Sequence, residues 1–187
     1  MGELCANALS VINKGIMSTA TEKLAAQFSR TYISESDFRE ADDYLGCYAA
    51  DSCLTIQRAL LVSAIVAYAR PFTANKGGAK ATASVALDLE SFLSSQELAL
   101  HSKLLALRHQ ALAHSDYSLK AAVRVNGEDN GFVVQARLFD VMSEYISVPK
   151  FRDLCTHMKV RCTEQLRELN QRLVSIETAA NRVARGF

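Results

Sequence analysis

The sequence has little of what interrupts a helix. Only 2 of its 187 residues are proline and 8 are glycine, and it contains no tryptophan. Because proline and glycine disfavour helix most strongly, a mainly α-helical fold is expected. Charge of one sign is also lacking, with 21 Lys and Arg against 20 Asp and Glu. Global charge therefore gives no case for binding to nucleic acid or to a membrane.

Metal-binding, secretory and membrane signals are missing as well. The five cysteines include no pair at Cys-x-x-Cys spacing, so we interpret them as reduced core residues of a cytoplasmic protein. We expect no metal and no cofactor. The N-terminal residues show no basic stretch followed by a long apolar run, which predicts no signal peptide. The longest apolar run, 59–68, is too short to span a bilayer, so no membrane association is expected.

The first third of the chain reads as helical. We expect a single domain over 1–187, in which 1–34 form an N-terminal helical extension. Thr19 or Thr21 could cap a helix within this extension. Ser36 then precedes several acidic residues, which suit the first turns of another helix.

The two strongest helix predictions follow. Residues 54–68 are the most apolar segment of the chain and predict a buried helix, which Pro71 ends because the residue before a proline avoids helical geometry. A second helix is predicted over 95–114. Ser94 or Ser95 would cap it, with Glu97 in its first turn.

The rest of the chain predicts a small hairpin and a long final helix. Two β-prone runs, 119–125 and 132–138, flank a loop with two glycines, so we expect a β-hairpin insertion over 118–139. Pro149 opens a helix over 149–185 that would be roughly 50 Å long. An apolar seam with spacings of three and four runs along this helix through Leu166, Leu169, Leu173, Ile176, Ala180 and Val183. The seam and the excess length of the helix favour a homodimer.

The helix predicted over 95–114 carries an arginine in an unusual position. On a wheel of about 100° per residue, Arg108 lies at the centre of an apolar arc, on one line with His101. Burying an unpaired guanidinium costs several kcal/mol, about 3–5 by the usual estimate. Arg108 could pair with an acid from 37–51, snorkel to solvent, or face a groove or dimer interface where its charge is functional.

The segment that begins at Arg108 resembles the signature of HEPN domains. It reads Arg108-His109-Gln110-Ala111-Leu112-Ala113-His114-Ser115-Asp116. HEPN signatures place a polar residue after an arginine and a histidine after a short helical spacer. The ending Leu112-Ala113-His114-Ser115-Asp116 is similar to the abortive-infection branch of that superfamily. The resemblance covers roughly 50–185.

The resemblance implies a helical bundle that dimerises with two motif helices facing each other. It also implies a ribonuclease that needs no metal, in which His114 acts as general base or acid and Arg108 holds the scissile phosphate. His109 would orient the phosphate or the histidine. Asp116 could orient an imidazole, or it could equally be an exposed helix cap. His101, on one line with Arg108, could support the site, but a satisfied core histidine is the favoured interpretation.

One departure from the family pattern concerns partners. Some HEPN toxins carry a tyrosine two residues after the histidine, where this chain has Asp116, and Tyr117 comes one residue later. This argues against that type of toxin–antitoxin pair, although an antitoxin or another protein remains an expected class of partner. The leading expectation is a HEPN-type ribonuclease acting on RNA in phage defence or a toxin-like system. The alternative is a non-catalytic helical module for dimerisation or interaction.

Overall fold

The computed structural model describes residues 19–49, 52–73, 87–112, 122–126, 132–136 and 141–184. These residues are mainly α-helical, in agreement with the prediction from composition. The α-helices are α1 (Thr19–Gly46), α2 (Leu54–Ala69), α3 (Ser95–Ala106) and α4 (Val148–Ala184). A π-helical turn, Leu107–Leu112, follows α3, and 3₁₀ turns occur at Arg70–Phe72, Leu89–Ser91 and Val141–Glu144. Residues 1–18 of the predicted N-terminal extension lie outside the described residues.

Helix α1 corrects the prediction of a helix start at Ser36. It runs unbroken from Thr19 to Gly46, because its buried stripe continues through the serines and acids. The stripe comprises Leu24, Phe28, Thr31, Phe38, Ala41 and Leu45, at spacings of three, four and seven residues. The hydroxyl of Ser34 donates to the carbonyl of Arg30 at 2.8 Å, which satisfies a serine inside the helix.

The described residues divide into two compact units. Within the first, formed from 19–38, 71–73, 87 and 157–184, α1 and α4 build one core cluster. Its members are Leu24, Phe28, Leu166, Leu169 and Leu173. Three residues of the predicted seam are therefore covered by a helix of the same chain and not by a second chain. Farther along the seam, Ile176 is 41% exposed. The single-domain expectation for 1–187 stays a prediction.

The second unit comprises the described residues within 39–70 and 88–156. There α2 packs against α3, against the π-helical turn and against the 3₁₀ turn Val141–Glu144. Tyr68 is fully buried in this core, and its ring meets that of Phe151 edge to face, with centroids 5.3 Å apart. The segment predicted as a buried helix from its apolar composition is thus a central helix of this unit.

The start of α3 follows from its sequence, but its end does not. Ser94 and Glu97 form a capping box, in which Glu97 N–H donates to Ser94 Oγ and Ser94 N–H donates to Glu97 Oε2. The prediction of one regular helix over 95–114 is wrong beyond Ala106, where the chain winds into the wider π-helical turn. A wheel of about 100° per residue does not apply there, because π-helical hydrogen bonds join residues five apart.

Two short strands lie between the π-helical turn and α4. Strand β1 (Ala122–Asn126) pairs antiparallel with β2 (Phe132–Ala136), with Ala122 opposite Ala136 and Asn126 opposite Phe132. The residues that would connect them, 127–131, lie outside the described part of the chain. The complete hairpin over 118–139 therefore stays a prediction.

Helix α4 begins one residue before the predicted start at Pro149 and has 37 residues. Among the helices of the described ranges, none combines the length and the apolar character that crossing a membrane requires.

Candidate functional site

The structure places the first two residues of the motif in the π-helical turn Leu107–Leu112. Arg108 is half-buried there and His109 is exposed. His114 and Asp116 lie outside the described residues. The predicted approach of Arg108 and His114 to one ligand therefore stays a prediction.

Two acids from the segment proposed as an internal partner for Arg108 bind other arginines. The carboxylate of Glu40 is ion-paired with Arg70, and that of Asp42 accepts from Arg152 Nε at 2.9 Å. The hydrogen bond from Arg70 holds the pKa of the Glu40 carboxyl below its ordinary value. Glu40 thus neutralises Arg70, just after α2, and Asp42 neutralises Arg152 on α4. Pairing of Arg108 with another acid of 37–51 stays one of the three interpretations.

His101 lies seven residues before Arg108 on α3 and is built into the core. It is 8% exposed, and its Nδ1 lies 2.8 Å from the hydroxyl of Tyr68. Burial lowers the pKa of His101 and raises the pKa of Tyr68 well above its ordinary value. Both side chains are therefore neutral near pH 7. This arrangement is that of a hydrogen-bonded core histidine, which connects α3 to α2.

A lysine on α3 connects the helix to the segment before α4. The ammonium of Lys103 donates to the carbonyl of Glu144 and lies 3.5 Å from its carboxylate. The next residue, Tyr145, is 95% exposed and has a φ of 49°. Sequence reasoning missed both Lys103 and Tyr145. The available signal was an aromatic residue in the short connection before Pro149.

The expectation of no metal stays a prediction. Within the described ranges, no three His, Cys, Asp or Glu side chains lie close enough to share a metal ion. None of the known protein families, curated proteins or solved structures matches this chain. Any assignment of function must therefore rest on the residues of the chain itself.

Proposed function

We propose that this chain is a HEPN-type helical bundle that acts as a metal-independent ribonuclease in a cytoplasmic phage-defence or toxin-like system. The observation that carries the proposal is the π-helical turn Leu107–Leu112, in which the signature begins. Interruptions of an α-helix by a π turn are rare, and they occur frequently at functional sites. Here the interruption coincides with Arg108 and His109, the residues to which the resemblance assigns phosphate contacts.

The solvent exposure of Arg108 and His109 suits that assignment. Arg108 is half-buried. A cation in a partly dry position would bind an anion more strongly than a fully solvated cation would. The planar guanidinium donates two hydrogen bonds at once to a phosphate. His109, the next residue in the chain, is exposed to solvent.

The proposed reaction transfers a phosphoryl group within the RNA. The ribose 2′-oxygen attacks the adjacent phosphorus and the bond from phosphorus to the 5′-oxygen breaks, which leaves a 2′,3′-cyclic phosphate and a 5′-hydroxyl. His114 would take the proton from the 2′-hydroxyl or supply one to the 5′-oxygen, since a histidine titrates near neutral pH. Arg108 would stabilise the charge that develops on the phosphate. Asp116 would orient an imidazole.

The assigned role of His101 is to position the helix and not to transfer protons. Its ring is buried and neutral and is hydrogen-bonded to Tyr68. A proton-transfer group must reach the substrate, whereas this ring connects α3 to α2 in the core. His101 would thus hold the helix from which the π-helical turn starts.

The cleavage test uses single-stranded RNA in EDTA, with gel analysis of the product ends and thermal melts of each protein. We expect wild-type protein to leave 2′,3′-cyclic phosphate ends and His114→Ala to abolish turnover. Arg108→Lys should be severely impaired, because lysine keeps the charge but loses the fork. Arg172→Lys, an exposed site on α4, is the matched control and should keep full activity. Cleavage that persists in His114→Ala would refute the assignment.

We further propose that the chain forms a homodimer through the exposed end of the seam on α4. Its support is Ile176, which continues the seam beyond the buried Leu173 and stays 41% exposed. Light scattering at micromolar concentration should give twice the chain mass of 20.5 kDa. Ile176→Asp should weaken the dimer, whereas Val160→Asp, on the opposite face of α4, should not. A monomer mass for the wild-type protein would contradict the proposal.

A non-catalytic interaction module is the second candidate. Large apolar side chains on α4, including Val160, Val174 and Ile176, are exposed and could contact a protein partner. In that case wild-type protein would leave diverse RNAs uncleaved. Arg108→Leu would then raise the melting temperature, because replacing a structural charge that is partly removed from water with an apolar side chain is often stabilising.

A further inference from the structure

Tyr145 combines two features that are unfavourable for a tyrosine. Its side chain is 95% exposed, so the ring gains almost nothing from packing within the chain. Its φ of 49° lies in the left-handed region, where the Cβ of an L-residue crowds the following carbonyl. Such backbone conformations persist where the surrounding structure imposes them, and they cluster at ligand-binding sites.

The residues just before Tyr145 impose this conformation. Val141, at the start of the 3₁₀ turn, is buried, and the turn packs against α2. At the end of the turn, the ammonium of Lys103 donates to the carbonyl oxygen of Glu144. That carbonyl belongs to the peptide group that joins Glu144 to Tyr145. The same ammonium is 3.5 Å from the Glu144 carboxylate. The backbone is thus held from both ends of the turn, and the ring projects into solvent.

The position of this ring relates it to the candidate site. Lys103 lies in the last turn of α3, which ends at Ala106, and Arg108 follows in the π-helical turn. The 3₁₀ turn Val141–Glu144 and the π-helical turn Leu107–Leu112 both pack against α2. The aromatic ring and the arginine of the motif are therefore carried by segments attached to the same two helices of the second unit.

We propose that Tyr145 is a stacking platform for an unpaired base of single-stranded RNA bound at Arg108, with Lys103 as the positioning residue that holds it. This inference rests on the proposed ribonuclease function. An exposed aromatic ring beside cationic side chains is the combination by which proteins bind single strands without sequence preference. The RNA backbone would be bound by the arginine and the base by the ring.

The test measures binding of fluorescein-labelled oligoadenylate by anisotropy, with full-length His114→Ala as the parent so that the RNA stays intact. Adding Tyr145→Asn should weaken binding by about 5- to 150-fold, the range seen when a stacking ring is removed. Adding Tyr145→Phe keeps the ring and should change the affinity by less than about twofold. Since asparagine adopts the left-handed region readily, the melting temperature of Tyr145→Asn should not fall.

A spectroscopic readout separates stacking from a purely electrostatic effect. The sequence contains no tryptophan, so Tyr145→Trp introduces a unique fluorophore. Its emission should be quenched when oligoadenylate binds. The positioning role is tested by Lys103→Met, which should weaken binding in the parent but have little further effect in the Tyr145→Asn background, because coupled residues are non-additive. Additive losses would show that Lys103 contacts RNA independently and would overturn its positioning role.

The outcomes distinguish this inference from the proposed function. If wild-type protein cleaves RNA but Tyr145→Asn binds as tightly as its parent, stacking is refuted and the ribonuclease stands. The same refutation follows if Tyr145→Phe loses as much affinity as Tyr145→Asn, or if Tyr145→Asn alters only the oligomer mass. If the wild type does not cleave and the parent does not bind RNA, both proposals fail.

Discussion

Replacing Tyr68 with phenylalanine should destabilise the protein by removing one buried hydrogen bond. The Tyr68 hydroxyl lies 2.8 Å from Nδ1 of His101, and both side chains are buried. The variant keeps the ring that packs edge to face against Phe151 at 5.3 Å and against His101 at 5.9 Å. The substitution therefore isolates the hydroxyl.

The expected loss follows from the burial of the histidine. A buried polar atom that loses its partner costs about 1–3 kcal/mol, so the free energy of unfolding should fall by about that amount. For a chain of this size the melting temperature should drop by about 2–12 °C. Tyr68→Phe combined with His101→Leu should recover most of the loss, because both polar partners are then absent.

The same pair predicts a pH dependence. Burial lowers the pKa of His101, so below its ordinary value of 6.5 the unfolded chain binds a proton that the folded protein resists. Stability from this group is complete above pH 6.5 and is lost as pH falls toward the folded pKa. The slope is at most about 1.4 kcal/mol per pH unit. His101→Leu should flatten this part of the profile, whereas the exposed-site variant His157→Gln should retain it.

Differential scanning fluorimetry from pH 5 to 8, about the range in which histidine titrates, measures both effects. Equal melting temperatures for wild type and Tyr68→Phe would refute the argument for the hydrogen bond. An unchanged pH profile in His101→Leu would refute the assignment of a buried neutral histidine.

Two further predictions concern the core around α4. Leu169→Ala should lower the free energy of unfolding, measured in urea, by about 2–5 kcal/mol, because it opens a cavity in the core cluster of α1 and α4. The exposed-site control Val160→Ala should change that free energy by less than about 0.5 kcal/mol. Burial raises the pKa of Cys162 to about 12, so iodoacetamide at pH 8 should modify the exposed Cys47 and Cys53 in native protein and spare Cys162; equal labelling by peptide mass spectrometry would contradict this.

Local signals in the sequence determined most helix positions. Ser94 and Glu97 predict the start of α3 because a capping box satisfies backbone donors within four residues of one another. Pro71 predicts the end of α2 at nearly the right place, but the reason given for it is wrong. Arg70 keeps helical dihedral angles (φ −55°, ψ −44°), and α2 ends at Ala69 because the chain tightens there into the 3₁₀ turn Arg70–Phe72. Ser36 failed as a helix start because a helix-capping residue competes with an apolar stripe, and in α1 the stripe prevails.

The candidate site was predictable only as a motif. Arg108 and His109 could be selected from the pattern of residue types, but the π-helical turn that carries them, and its packing against α2, are known only from the structure. A helical wheel assumes one angle per residue, so it cannot show a change from α-helical to π-helical winding. The same limit explains why the placement of Arg108 at the centre of an apolar face became a half-buried position.

Contacts between distant segments were decided by the tertiary structure alone. The seam residue Leu169 is apolar in any fold, but only the tertiary structure shows that it is buried in one core cluster with Phe28 of the same chain. His101 is assigned to the core by Tyr68, which lies 33 residues earlier. The backbone of Tyr145 is set by the bond from Lys103 to Glu144, 41 residues apart in the chain. Sequence patterns report on neighbours within a few residues, whereas these contacts arise when separate helices come together.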